Sequence, residues 1–343
     1  MTAPVNSSAE AVLHRARIEE GGALLINKHA GVSSFGLIEQ LQQLLLGDLG
    51  GKRRELPKMG HGGTLDPFAT GLLVVCIGRG VKLARYFLGS DKVYDGRVRF
   101  GESTIPGDPT AEINERSEVL PQSLEQLREV ALGYTKKPYL QVPPMHSAKK
   151  KDGKPLYELA REGIEIEREP RTCTLYTFDV LGFEPAKADE KIAYANIRVA
   201  CSAGTYIRTL TQDYSRSLGT VGLLETLHRS ASGSLSVDQA MSLEEIHEAT
   251  QKGVQYPDLG CWVPFDRLLA DYDQAIATES EAQSLIQGKQ YVLPSILQRT
   301  MQAERVVAAH ADCVAIYDQK NKLVAVARKE SGQWGIERVF TQG

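Results

Sequence analysis

The sequence predicts an α+β protein, with a larger mixed unit followed by a small β-rich one. Between residues 22 and 250, apolar sets at helical spacing are interspersed with short apolar or alternating runs that read as strands. Beyond a Gly/Pro-containing stretch at 250–264, strand-like pieces follow one another. The composition agrees. A chain of 343 residues with net charge −3, 42% hydrophobic and 24% charged residues is an ordinary globular protein of more than one average domain. It excludes a disordered or collagen-like chain. It also excludes nucleic-acid binding by bulk charge, so any such binding needs a local basic patch.

Residues 1–21 read as a polar, loosely ordered extension without the apolar core of a signal peptide. Residues 23–27 form a short buried strand. Ser33 and Ser34 cap a helix that buries Leu37, Ile38, Leu41, Leu44 and Leu45, with Gly47 as its stop. Residues 47–63 are loop-like. A strand follows at 72–77 and a short helix at 81–88. Residues 93–100 alternate, with Tyr94, Gly96, Val98 and Phe100 on one face and Asp95, Arg97 and Arg99 on the other. Residues 101–118 are turn-rich, and a helix spans 123–132. Strands lie near 172–183 and 192–201. A helix at 206–218 buries Ile207, Leu210, Tyr214 and Leu218 and stops at Gly219. Ser242 and Glu245 form a capping box for another helix. The larger unit is placed at 22–255 and the tail unit at 262–343. The tail holds strands at 306–309, 313–317, 323–327 and 334–340, with a hairpin turn at 318–322.

The five cysteines, Cys76, Cys173, Cys201, Cys261 and Cys313, are odd in number and far apart. They read as buried free thiols of a reducing compartment, and neither they nor the seven histidines show zinc-type spacing. The longest apolar run, 71–77, is too short for a bilayer. The reading is cytoplasmic, with no membrane contact. No phosphate-binding, dinucleotide, GxSxG or HExxH pattern occurs.

Three stretches carry chemistry. The first is KMGHGGTLDPFATG at 58–71, where Gly60, Gly62 and Gly63 permit close backbone approach. Asp66 there reads either as a helix N-cap with Pro67 behind it or as a carboxylate presented on a Gly-rich loop. The second is CSAGTYIRTL at 201–210. Arg208 is either a solvated helix residue or an inward cation that requires a carboxylate, with Asp66 a candidate. Tyr94, on the apolar face of its strand, reads as a core tyrosine or as a platform for a nucleobase. The third stretch, 134–157, carries Lys136, Lys137, Lys149, Lys150, Lys151 and Lys154 interleaved with Tyr134, Tyr139, His146 and Tyr157. Cations with aromatic platforms suit phosphates and unstacked bases.

These residues fall in ordered strings that resemble the TruB-type pseudouridine synthases: LLINKHAGVSS (24–34), GHGGTLDPFATGLLVVCIG (60–78), KVYDGRVRFG (92–101), PPMHSAKKKDGKPLYELAREG (143–163), CSAGTYIRTL (201–210) and LGTVGLLETLHRSASG (218–233). The resemblance implies a mixed, mainly antiparallel sheet flanked by helices, and a PUA-like RNA-binding tail. It implies isomerisation of uridine 55 in the tRNA T loop, on a flipped-out base, with no cofactor and no metal. It makes Asp66 the catalytic aspartate, Arg208 its ion-pair partner and Tyr94 the residue that stacks on uracil. His61, Lys28, Leu227, Tyr206, Lys149 and Lys150 join the substrate-binding set, and 134–170 becomes an RNA-binding lid. The expected partner is the T arm of tRNA, bound by a monomer without guide RNA or obligate protein. A folding chaperone for tRNA with the same fold is the alternative. Two departures stand out. His29 replaces the family's proline after the lysine, and the family's T-D-T-x-D string is replaced at 103–109 by STIPGDP.

Overall fold

A computed structural model of the chain describes residues 8–145, 150–151, 154–155, 164, 166–187, 190–302 and 312–340. Its centre is a nine-stranded sheet among the described residues. Seven strands run in the order Leu175–Glu184, Ala193–Cys201, Lys92–Phe100, Gly222–Ser232, Thr70–Ile77, Gly22–Lys28, Trp262–Pro264. All neighbours are antiparallel except Gly222–Ser232 against Thr70–Ile77, which run parallel. This is the mixed, mainly antiparallel sheet that the resemblance implied.

Each strand follows from its pattern. Thr70–Ile77 is a continuous apolar run and buries every residue after Thr70, as a strand covered on both faces must. Lys92–Phe100 alternates. Val98 and Phe100 are fully buried, while Arg97 and Asp95 form ion pairs with Glu184 and Arg198 on the other face. Helix Ser34–Leu49 starts where Ser33 accepts a hydrogen bond from the Gly36 amide, and it buries Leu37, Ile38, Leu41 and Leu45. Gly47 does not stop it. The helix runs to Leu49 and ends at Gly50, whose amide donates to the Leu46 carbonyl at 2.9 Å and whose φ of +64° only glycine adopts without strain. Ile207–Ser217 and Leu243–Gln251 lie where helices were expected, the latter with the Ser242–Glu245 capping box.

Three differences have physical causes. Ser8–Glu20 is a helix, not a loose extension. Ile18 is fully buried, His14 stacks on Tyr256, and Arg17 makes two hydrogen bonds to Asp258. The stretch at 250–264 closes the larger sheet instead of leaving it, because Trp262–Pro264 pairs with Gly22–Lys28 at the sheet edge. The tail is also not purely β. Its sheet, Asp273–Ile276, Cys313–Tyr317, Leu323–Glu330 and Gln333–Val339, carries helices Glu279–Ile286 and Leu293–Gln302. Alternation explains the arrangement. Cys313, Ala315 and Tyr317 join the larger core, whereas Val314 and Ile316 pack with Leu285 and Ile296 of the two helices. The strand expected at 306–309 lies outside the described residues.

All five cysteines are buried and unpaired. Among the described residues no helix is long and apolar enough to cross a membrane.

Candidate active site

The site forms where the parallel strand pair begins. His228 and Arg229 of one strand lie beside Thr70 and Gly71 of the other. Gly71 is required there: its φ is +98°, and a Cβ would sit 2.4 Å from the Arg229 carbonyl oxygen. The chain just before Gly71 carries Asp66. The Asp66 carbonyl accepts from the Ala69 amide at 3.1 Å, so Asp-Pro opens a single turn, not a helix, and the N-cap reading of Asp66 falls away. The turn is stitched down on both sides. Ser34 Oγ donates to the Leu65 carbonyl and accepts from the Leu65 amide, at 3.0 and 2.8 Å. Pro67 O accepts from the Gly31 amide at 2.8 Å and from Lys28 Nζ at 3.3 Å.

Arg208 points inward from the first turn of its helix, with its side chain 4% exposed. Its guanidinium grips Asp66 with two hydrogen bonds, Nε to Oδ2 at 2.8 Å and Nη2 to Oδ1 at 3.1 Å. This is the forked geometry that makes arginine–carboxylate pairs strong. Nη1 donates to Pro106 O at 2.7 Å and lies 3.4 Å from Asp108 Oδ2. Asp108 is buried at 8% exposure, and Oδ1 accepts from the Thr110 amide. The departure at 103–109 therefore still supplies a carboxylate. Asp66 keeps 32% exposure, so one side of it is open.

That open side faces a cavity of about 270 Å³ whose walls include Asp66, Tyr94, Tyr206, Leu227, Lys92 and Arg229. Tyr94 is half-buried. Burial raises its pKa, and Arg229 pulls in the opposite direction. Tyr206 precedes the Arg208 helix. Its backbone is bracketed by Gln141, whose amide accepts from Tyr206 N at 2.8 Å and donates to Tyr206 O at 2.9 Å. Lys28 sits behind the wall, fully buried, with its ammonium on the carbonyls of His29, Val32 and Pro67. Burial lowers its pKa to about 8, against the pull of Asp66. His61 lies on a strand beside Val75 and outside the cavity wall. Its Nδ1 is buried without a hydrogen-bond partner, and burial, then Arg229, lowers its pKa. Lys149 lies outside the described residues. Lys150 is described only as part of the two-residue strand Lys150–Lys151.

Sequence reasoning missed Asp108, Gln141, Lys92 and Arg229. The signal for the last two was present. Lys92 stands two residues before Tyr94, and Arg229 two after Leu227, so each shares a strand face with an expected site residue. Lys92 is buried, its ammonium on the carbonyls of Phe87, Leu88 and Ser90. Burial, then Arg229, lowers its pKa to about 8.

A model of the TruB family pseudouridylate synthase N-terminal domain matches residues 52–207. The tRNA pseudouridine synthase B of Saccharophagus degradans is 35% identical over 328 residues, 94% of this chain and 96% of the relative. That of Bordetella avium is 42% identical over 231 residues, 67% of this chain and 88% of the relative. A crystal structure of a Cbf5–Nop10–Gar1 complex contains a chain with the same fold, at TM-score 0.68 and 20% identity, aligned over 96% of this chain and 87% of that one. The chain belongs to the TruB family of pseudouridylate synthases.

Proposed function

We propose that this protein isomerises uridine 55 in the T loop of tRNA to pseudouridine, acting alone on a flipped-out base. The observation that carries this is the Asp66 carboxylate, a third exposed, gripped by buried Arg208 and open to a cavity walled by Tyr94 and Leu227. At about 270 Å³ the cavity is smaller than most drug-sized sites and suits one base. A base within a stack must be extruded to reach such a pocket, at a cost of a few kcal/mol. Stacking on Tyr94 replaces part of what is lost, about 1–3 kcal/mol by analogy with other aromatic–base contacts.

In the reaction the N1–C1′ bond breaks, the uracil turns, and C5 bonds to C1′. The C5 proton leaves and N1 gains one, so no electrons enter or depart. Asp66 acts at the ribose, on C1′ as nucleophile or on C2′ as base. Trapping a covalent adduct separates the two. The lysines of 134–157 take the backbone phosphates, and the tail unit is a PUA-like RNA-binding module. The names of the relatives support tRNA as the substrate.

The test uses tRNA carrying tritium at uracil C5, with no guide RNA or added protein. Stoichiometric release by the parent and none by Asp66→Asn, at undiminished tRNA affinity, is the expected result. Tight binding without release by the parent would favour the folding-chaperone alternative. Full release by Asp66→Asn would sink the assignment of Asp66.

A further inference from the structure

Arg229 is 1% exposed, donates to three main-chain carbonyls, and its guanidinium also acts on the Tyr94 hydroxyl, lowering that group's pKa against burial. Nε donates to Leu72 O at 2.8 Å, Nη2 to Gly63 O at 3.1 Å and Nη1 to Thr64 O at 3.5 Å. These oxygens bracket the Asp66 turn, two or three residues before it and six after. In the antiparallel pairing of Gly222–Ser232 with Lys92–Phe100, Arg229 stands directly opposite Tyr94. Both side chains reach the wall of the same cavity.

A charge this deeply buried without a carboxylate is costly unless its donors are satisfied. A lone carbonyl clamp needs no guanidinium. Two nearby structures that must keep their distance do, because the planar fork cannot satisfy several carbonyls unless they hold still. The Asp66 turn has no regular secondary structure of its own, whereas Tyr94 rides on a central strand.

We propose that Arg229 is a positioning residue that locks the Asp66 turn to the Tyr94 strand, holding the group that acts at the ribose in register with the ring that meets the base. This rests on the uridine reading above and goes beyond it. With the lock in place, C1′ and C5 are presented to each other after the base has turned, and loss of the C5 proton is not the slow event. Without it, glycosidic cleavage still occurs, while recapture through C5 and departure of its proton become slow.

The test is Arg229→Lys, which keeps the charge and loses the fork. Three quantities are read: thermal midpoint, tRNA affinity, and single-turnover rate with protium or deuterium at uracil C5. The expected result is unchanged affinity, a rate lower by about a hundredfold, as for an ångström-scale misplacement, and a primary deuterium isotope effect larger than the parent's. A structural role alone would lower the rate and the midpoint without changing the isotope effect, and that result overturns the proposal. So does an unchanged rate. Arg229→Gln, which retains an amide donor for one carbonyl, is expected to behave like the lysine variant. Failure of both to fold would make Arg229 a folding residue and also overturn the proposal. The parent reports separately on the uridine reading, because it either forms pseudouridine or does not.

Discussion

Replacing Asp108 with asparagine tests how Arg208 is aimed. Asp108 is not part of the cavity wall, and it reaches the chemistry through Arg208 Nη1, 3.4 Å away. At that separation the gross attraction is about 5 kcal/mol at an effective dielectric constant of about 20. Neutralising a carboxylate that is only 8% exposed also removes its desolvation cost, which offsets much of that figure. Asparagine retains an oxygen for the Thr110 amide. The net loss of stability is therefore about 1–3 kcal/mol. The kinetic effect is larger. Arg208 loses the attraction of the Asp108 carboxylate while keeping its fork on Asp66 and its bond to the Pro106 carbonyl, so the Asp66–Arg208 pair shifts towards the cavity. A displacement of about 1 Å costs about a hundredfold in rate. Urea unfolding followed by circular dichroism, filter-retained tRNA and single-turnover tritium release measure the three quantities. The expected outcome is modest destabilisation, undiminished tRNA affinity and the full rate loss. A destabilised variant that turns over at the parent rate would refute the positioning argument. A rate loss matched by an equal loss of affinity would make Asp108 an RNA-binding residue.

Burial lowers Lys28 from 10.5 to about 8. The unfolded chain therefore holds that proton to higher pH, and the stability this group contributes rises between about pH 8 and 10.5. The stability of the parent relative to Lys28→Met is expected to climb across that window in urea titrations, and a flat difference would refute the burial argument. Removing Lys149, Lys150 and Lys151 together should reduce the slope of log affinity against log salt by about 2–3. An unchanged slope would exclude this patch from phosphate contact. Gly71→Ala puts a Cβ 2.4 Å from the Arg229 carbonyl at φ +98° and should destabilise by about 2–4 kcal/mol. An unshifted melting midpoint would show that the strands part without cost.

The elements legible in the sequence were those whose pattern is local. The run at 70–77 is apolar at nearly every position, and the Ser242–Glu245 capping box is a four-residue signal. Ser8–Glu20 was not legible, because what fixes it is distant: Tyr256 and Asp258 hold a helix with few buried residues. The two tail helices are short, and their apolar residues sit among β-rich runs, although Thr278 and Glu281 form a capping box that could have marked the first. In the site, Asp66 and Arg208 were legible through their motifs. Arg229 was legible only relative to Leu227, two residues before it on the same strand face, and which way that face points depends on register. The pairing with the Tyr94 strand shifts between Leu224 and Thr226 and again between Arg229 and Ala231. A slip of one residue sends a side chain to the opposite face, and no local pattern predicts where an irregularity falls.

The charge at the site was equally hidden by composition. A chain of net charge −3 gathers Lys28, Lys92, Arg208 and Arg229 around Asp66 and Asp108. Lys28, Lys92 and Arg229 donate to backbone carbonyls, and all four cations are nearly or fully buried. Their donors are largely spent on the fold, so they shape the field of the cavity more than they grip a ligand. Of the charged side chains on the cavity wall, Asp66 at 32% exposure is far more open than Lys92 at 6% or Arg229 at 1%. A substrate entering the cavity therefore meets a carboxylate as its most accessible charged partner, inside a surround of fixed positive charge. In the reaction proposed above, that field favours any negative charge that develops on the base as its bond to C1′ breaks.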